Sequence, residues 1–354
     1  MLALFVLLEV GLRLFWSNPN AEESLQKITG MCLEMEGHPT RLWAMTPGVC
    51  KSAGVTIEHD ENGLRRWVDS GMPLRLMTLG DSSIYGHGLS DGQTIHEQLK
   101  TEINDRGISV DAIGGGIPGY SSEQTLVMMD DFGWELNPDL LIVASLWSDN
   151  SWEYFQDREW MQAVNVPFLH LDKMLRPIAT WSWLKHLGLG NENALQEEQG
   201  INRVGWIKEP NTTALRRVPL QQYAENIDRL MVEAAKRDIG CVVLQLSNRQ
   251  EHTSSGTMPW QNYKDAQDKV ATRRGVPIAK MQEALADSEF EANLLFQDLM
   301  HPTATANKLI AGLLADTMGD AGWPKNRLIP DPEPPPFNEI LSDSSTPRKV
   351  IRDH

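Results

Sequence analysis

The chain has 354 residues, 41% of them hydrophobic and 23% charged, enough for one sizeable α/β core with additions or for two small domains. Its formal net charge is −16 and its pI about 5.0, which argues against nucleic acid as a partner, because binding a phosphate backbone draws on clustered Lys and Arg. Three cysteines, Cys32, Cys50 and Cys241, occur without any C-x-x-C spacing, so a thiolate zinc site is not indicated.

Residues 1–16 are apolar and helical in character, interrupted by Glu9 and Arg13, which are four apart and could pair on one face. The segment is short against the roughly 20 residues of a membrane span. No basic stretch precedes it and no small-residue cleavage site follows. It is read as a signal anchor or membrane tether with the rest of the chain at the membrane surface, in the periplasm or outside the cell. The alternative is an amphipathic helix packed on the domain. Residues 17–70 read as a connecting region with no strong period. Cys32 and Cys50 lie close together there and could form a disulfide in an exported protein.

From 71 to 323 strand and helix patterns alternate. Strand-like runs cover 75–79, 110–113, 140–146, 241–246 and 276–279, and helix-like runs cover 94–105, 122–136, 221–237, 263–274 and 303–318. Such alternation predicts a parallel sheet with helices on both faces, with ligands at the carboxyl ends of the strands. Ser82, Gly119 and the pair Asp149-Asn150 all fall just after strand ends. Residues 151–220 read as an insertion rich in rings: Trp152, Trp160, Trp181, Trp183 and Trp206, with Tyr154, Phe155 and Phe168. These either pack the insertion on the core or form an aromatic cleft. Before the last helix, Pro302 holds His301 extended, and Thr303 can cap the run that carries Leu309, Ile310, Leu313, Leu314 and Met318. From 324 to 354 the chain is Pro-rich and charged and reads as a tail.

Two short motifs carry the chemistry. Gly80-Asp81-Ser82 follows the first strand, and Asp298-Leu299-Met300-His301-Pro302 precedes the last helix. A serine hydroxyl is a weak nucleophile until a base takes its proton, which a neutral His can do while a carboxylate holds its tautomer. Ser82, His301 and Asp298 fit those roles. Alternatively, Ser82 caps a helix and Asp298-x-x-His301 is a surface loop. Oxyanion donors would be the Ser82 N–H, a glycine N–H within 114–120 and the amide of Asn150. His87, Trp147, Asp149 and Trp152 are candidates for lining a substrate pocket.

Together these pieces resemble the SGNH (GDSL-type) hydrolase superfamily over roughly residues 62–320. Gly80-Asp81-Ser82 matches its first block. The run Gly116-Ile117-Pro118-Gly119-Tyr120-Ser121-Ser122 resembles the second and places the oxyanion glycine at Gly119. Asp298 to Pro302 matches the last. The run Asp60-Glu61-Asn62-Gly63-Leu64-Arg65 and the apolar start also look like membrane-anchored bacterial members. One block departs, with Asp149-Asn150 standing where the family reads Asn-Asp. Strict register would put a carboxylate at the oxyanion position, where it would repel developing charge; a shift of one residue puts Asn150 there, the reading taken. The resemblance implies a three-layer α/β/α sandwich around a central parallel five-stranded sheet, flavodoxin-like in order, with no metal and no organic cofactor. It implies a serine esterase acting on an acyl ester of a lipid or an O-acetylated glycan. O-acyl transfer to a cell-envelope polysaccharide, or a binding protein that has lost catalysis, are the alternatives.

Overall fold

The computed structural model describes residues 8–12, 35–52, 55–153, 155–164, 214–253 and 257–333, together with positions 167, 174, 175, 178, 180 and 183. Two antiparallel hairpins come first. One pairs β1 (Met35–His38) with β2 (Leu42–Met45), the other β3 (Gly48–Ser52) with β4 (Val55–His59). The region 17–70 was expected to be a connector. Its strands are only four or five residues long, and β4 turns Ile57 and His59 inward, so a buried histidine hides the apolar alternation.

The main sheet takes β5 (Leu74–Gly80), β6 (Val110–Gly116) and β7 (Leu140–Ala144). After the short antiparallel pair β8 (Trp152–Glu153) and β9 (Leu215–Arg216), it takes β10 (Gly240–Gln245) and β11 (Ile278–Lys280). All five of its strands are parallel, in the order β11-β10-β7-β5-β6. This is the five-stranded sheet expected, in the doubly wound order that places a crevice where the chain reverses direction, between β5 and β7. Its strands are predominantly apolar because both faces are covered; every residue of β6, β7 and β10 is buried.

The helices are α1 (Ser82–Tyr85), α2 (Ile95–Asp105), α3 (Ser122–Asp131), α4 (Asp157–Ala163), α5 (Leu220–Lys236), α6 (Arg249–Thr253), α7 (Gln261–Arg273), α8 (Met281–Ala286), α9 (Ala292–Leu295) and α10 (Ala304–Asp320). Helices α2, α8 and α10 cover one face of the sheet and α3, α5 and α7 the other. In α5 the stripe Tyr223, Ile227, Leu230, Met231 and Ala234 is buried at helical spacing. Each of Ile227, Leu230 and Met231 contributes roughly 1.5–3 kcal/mol by its burial. Thr303 caps α10, its hydroxyl accepting from the Ala306 N–H, and Ile310, Leu314 and Met318 face the sheet.

Residues 324–331, expected to begin a tail, pack on the core. Pairing of β10 with β11 starts only at Val243. The Cys241 N–H below it donates to the Leu328 carbonyl at 3.0 Å, and Leu328 is buried. A buried backbone donor needs such a partner. Residues 334–354 lie outside the described residues.

Most of the segment 1–16, including Arg13, also lies outside them, as do Tyr154, Phe168, Trp181 and Trp206. Within 8–12, Glu9 accepts from the Thr180 N–H and hydroxyl at 2.9 and 2.8 Å. Among the described residues no helix is long and apolar enough to cross a membrane. Cys50 is disulfide-bonded; Cys32, its expected partner, lies outside the described residues. Cys241 is a free thiol buried in β10.

Candidate active site

The carboxyl ends of β5, β6 and β7 lie level, with Gly80 opposite both Gly116 and Ala144. Helix α1 crosses directly over them. A Cβ on Gly116 would stand 2.5 Å from the Tyr85 nitrogen, and one on Gly80 would stand 2.9 Å from the Ala144 carbonyl oxygen. Gly80 therefore serves close approach of the backbone rather than an unusual dihedral. Asp81, not Ser82, caps α1, its carboxylate accepting from the Ser83 N–H at 2.9 Å. That leaves the Ser82 hydroxyl free for other work.

The hydroxyl is used by His301. Ser82 Oγ lies 2.8 Å from His301 Nε2, and His301 Nδ1 lies 2.6 Å from Asp298 Oδ2. The other carboxylate oxygen of Asp298 accepts from the N–H groups of Met300 and His301, both at 2.9 Å. Burial alone would raise this carboxyl. The His301 hydrogen bond and charge, with the two amides, outweigh burial and hold it well below the usual carboxylate range. An ionised Asp298 can only accept, so Nδ1 carries the ring proton. Nε2 is then an acceptor facing the Ser82 O–H.

The loop that carries His301 is pinned on several sides. The Gln297 N–H donates to the His301 carbonyl at 2.8 Å, and the Gln297 side chain donates to the carbonyls of His87 and Pro302. Ser83 Oγ donates to the Met300 carbonyl at 3.4 Å, joining α1 to the same loop. From below, Arg65 donates to the carbonyls of Gly86 and Leu89 at 2.9 and 2.7 Å, and His59 Nε2 lies 2.7 Å from the Tyr85 hydroxyl. The second hairpin thus braces α1.

His87 is brought into contact with His301. Its ring centroid lies 4.4 Å from that of His301. Burial, helped by the neighbouring His301 charge, pushes its pKa down to about 3, so it packs as a neutral ring. Trp147 and Trp152 are both buried. Trp147 packs edge-on against Trp260 with centroids 5.4 Å apart, and Trp152 lies under the Arg216 guanidinium at 4.0 Å. They are packing groups more than pocket lining.

The structure does not bring Asn150 to the cleft. The residue is fully buried, and its side-chain N–H donates to the Leu146 carbonyl at 2.7 Å. Asp149 is also fully buried and turned away, accepting from the Ser122 N–H at 2.9 Å and hydroxyl at 2.5 Å. The Ser122 oxygen in turn accepts from Asn226 at 2.9 Å, which commits the serine proton to Asp149. Both side chains of the departing block are buried and bonded inside the protein. Ser148, just before them, stands beside the cap residue, with its backbone N–H toward the Asp81 carboxylate.

Burial, offset in part by the Ser122 hydrogen bonds, pushes the Asp149 carboxyl up to about 7 from 3.8. Between those values the folded chain holds a proton that the unfolded chain has released, so this group's contribution to stability falls as pH rises through that window. Asp149→Asn keeps the acceptor and stays neutral. Its melting temperature relative to wild type should rise between about pH 4 and about pH 7 and then level off. An equal difference across that range would contradict the assignment.

Among the described residues no group of three or more His, Cys, Asp or Glu converges as a metal site. Sequence reasoning did not single out Trp43, Ser148, Asp157 or Arg217. Trp43 and Arg217 reach the loop of Gly119 from separate parts of the chain, so no local spacing could have signalled them.

No protein-family model matches the chain, and no curated protein matches it. The chain is similar to solved structures, three of which follow. An α/β hydrolase enzyme from the metagenome of Lake Arreo, Spain, is 15% identical, with a TM-score of 0.47, over 70% of this chain and 95% of that one. A lipase/acylhydrolase from Enterococcus faecalis is 12% identical, with a TM-score of 0.45, over 70% and 96%. An acetylxylan esterase from Geobacillus stearothermophilus is 12% identical, with a TM-score of 0.45, over 70% and 94%.

Proposed function

We propose that the protein is a serine ester hydrolase of the SGNH type that works through an acyl-enzyme on Ser82. The observation that carries this reading is the unbroken relay from Ser82 Oγ to His301 Nε2 at 2.8 Å and from His301 Nδ1 to Asp298 at 2.6 Å. Ser82 Oγ attacks the ester carbonyl while Nε2 takes its proton. The imidazolium so formed faces an ionised Asp298 and then protonates the departing alcohol. Water, deprotonated by His301, cleaves the acyl-serine. The tetrahedral oxygen is held by the N–H groups of Ser82 and Gly119.

The substrate is an acyl ester of a lipid or an O-acetylated glycan. The disulfide at Cys50 supports a place outside the reducing cytoplasm, where such bonds persist. The order Asp149-Asn150 lends no support to a non-catalytic role, because both side chains are bonded inside the core.

The test is turnover of aryl esters, from acetate to octanoate, by the full chain. Release of one free acid per alcohol is expected. No turnover of any of them by folded protein would overturn the reading. Acyl groups recovered on an added glycan acceptor in place of water would reassign it as a transferase.

A further inference from the structure

We infer that Trp43 and Arg217 are positioning residues that fix the Gly119 N–H as an oxyanion donor, an inference that rests on the serine-hydrolase reading above. Gly119 has a φ of 77°, in the left-handed region, and a glycine backbone is the softest in the chain. Two peptide planes flank it, and each is gripped by its carbonyl. The Pro118 carbonyl accepts from the Trp43 indole N–H at 3.1 Å. That carbonyl shares a planar trans unit with the Gly119 N–H, which must point the opposite way. The indole therefore sets the direction of the donor. The next plane is set by Arg217, whose Nη1 donates to the Gly119 carbonyl at 2.8 Å.

Both grips are themselves anchored. Arg217 makes a two-pronged contact with Asp157, at 2.9 Å from Nε and 2.7 Å from Nη2, and Asp157 is fully buried. Nη2 also donates to Gln124 at 2.8 Å. The guanidinium lies 5.4 Å from the centre of the Trp43 ring, so the two grips brace each other. Trp43 is held from its other side by Tyr120, which packs edge-on against the ring at 5.9 Å and donates its O–H to the Trp43 carbonyl at 2.7 Å. A planar, buried, fully charged side chain with its remaining donor on a glycine carbonyl is a costly way merely to close a loop. It is an effective way to stop one peptide from swinging.

The two residues come from parts of the chain that read as decoration. Trp43 lies on β2 of the N-terminal hairpin, and Arg217 follows β9, where the insertion returns to the core. The α/β core supplies the nucleophile, base and orienter; the additions hold the electrostatic half of the site.

The test uses the full-length protein and Trp43→Phe, which keeps an aromatic ring and removes the indole donor together with part of the ring's bulk. Turnover of an aryl acetate is measured together with inhibition by an aryl trifluoromethyl ketone, whose adduct with Ser82 carries an oxyanion. A mis-set donor should lower kcat by about ten- to a hundredfold. Inhibitor affinity should weaken by a similar factor, with KM within about twofold of wild type and the acid limb of the pH profile unmoved. A structural role alone would lower the amount of folded enzyme and leave the inhibitor affinity of what remains untouched. Should Trp43→Phe fail to fold, Arg217→Lys keeps the charge opposite Asp157 and gives up the fork, and the same pair of losses is expected. Wild-type kcat, or a loss of kcat with unaltered inhibitor affinity, would overturn the inference. A wild-type protein that cleaves no ester would instead remove the reading beneath it.

Discussion

Replacing Ser82 by Ala is expected to lower aryl-ester turnover by on the order of 10⁴- to 10⁶-fold, and His301→Ala by as much. The two side chains act as one unit, so the double variant should be no worse than either single one. The fold should be little affected. Ser82 Oγ bonds His301, while the start of α1 is capped by Asp81, so removing one hydroxyl leaves the helix end satisfied. Full turnover by Ser82→Ala would place the nucleophile elsewhere. A multiplied loss in the double variant would show that the serine and the histidine work separately.

Asp298→Asn should cost about 10³- to 10⁴-fold in kcat with little change in KM. The reason lies in the hydrogen bonds on each carboxylate oxygen. Oδ1 accepts from two backbone N–H groups, while Oδ2 faces His301 Nδ1. An asparagine can keep the first two bonds only by putting its carbonyl oxygen there, which turns its NH₂ toward Nδ1. Nδ1 must then accept, the ring proton moves to Nε2, and the nitrogen facing Ser82 can no longer take a proton. A kcat within tenfold of wild type would show that the base is oriented by something other than Asp298.

The catalytic frame was legible because its signals are local. β7 is an unbroken apolar run and β5 is broken only by Arg75 and Thr78, and both motifs sit at an element end, so each predicts its own place. The last helix carries a readable cap in Thr303 and a readable buried stripe. What escaped was set by partners far away in sequence. The hairpins of 35–59 are short strands with buried polar groups, and Leu328 is recruited by a Cys241 N–H that the edge strand leaves unpaired. Asn150 shows the limit most plainly. Its type suited an oxyanion donor and its position followed a strand, but a carbonyl four residues back takes its N–H, and burial closes the cleft to it. Gly119 was found by motif. Its two braces could not be, because the distance from Trp43 to Pro118 is set by the docking of a hairpin.

The central claim is that Ser82 is a nucleophile activated by His301. The measurement that tests it most directly is the mass of the folded full-length protein after exposure to a fluorophosphonate, with the adduct located by peptide mapping. The account predicts one adduct, on Ser82, forming rapidly in wild type and lost in both Ser82→Ala and His301→Ala. An unmodified wild-type protein, or an adduct that persists without His301, would contradict it.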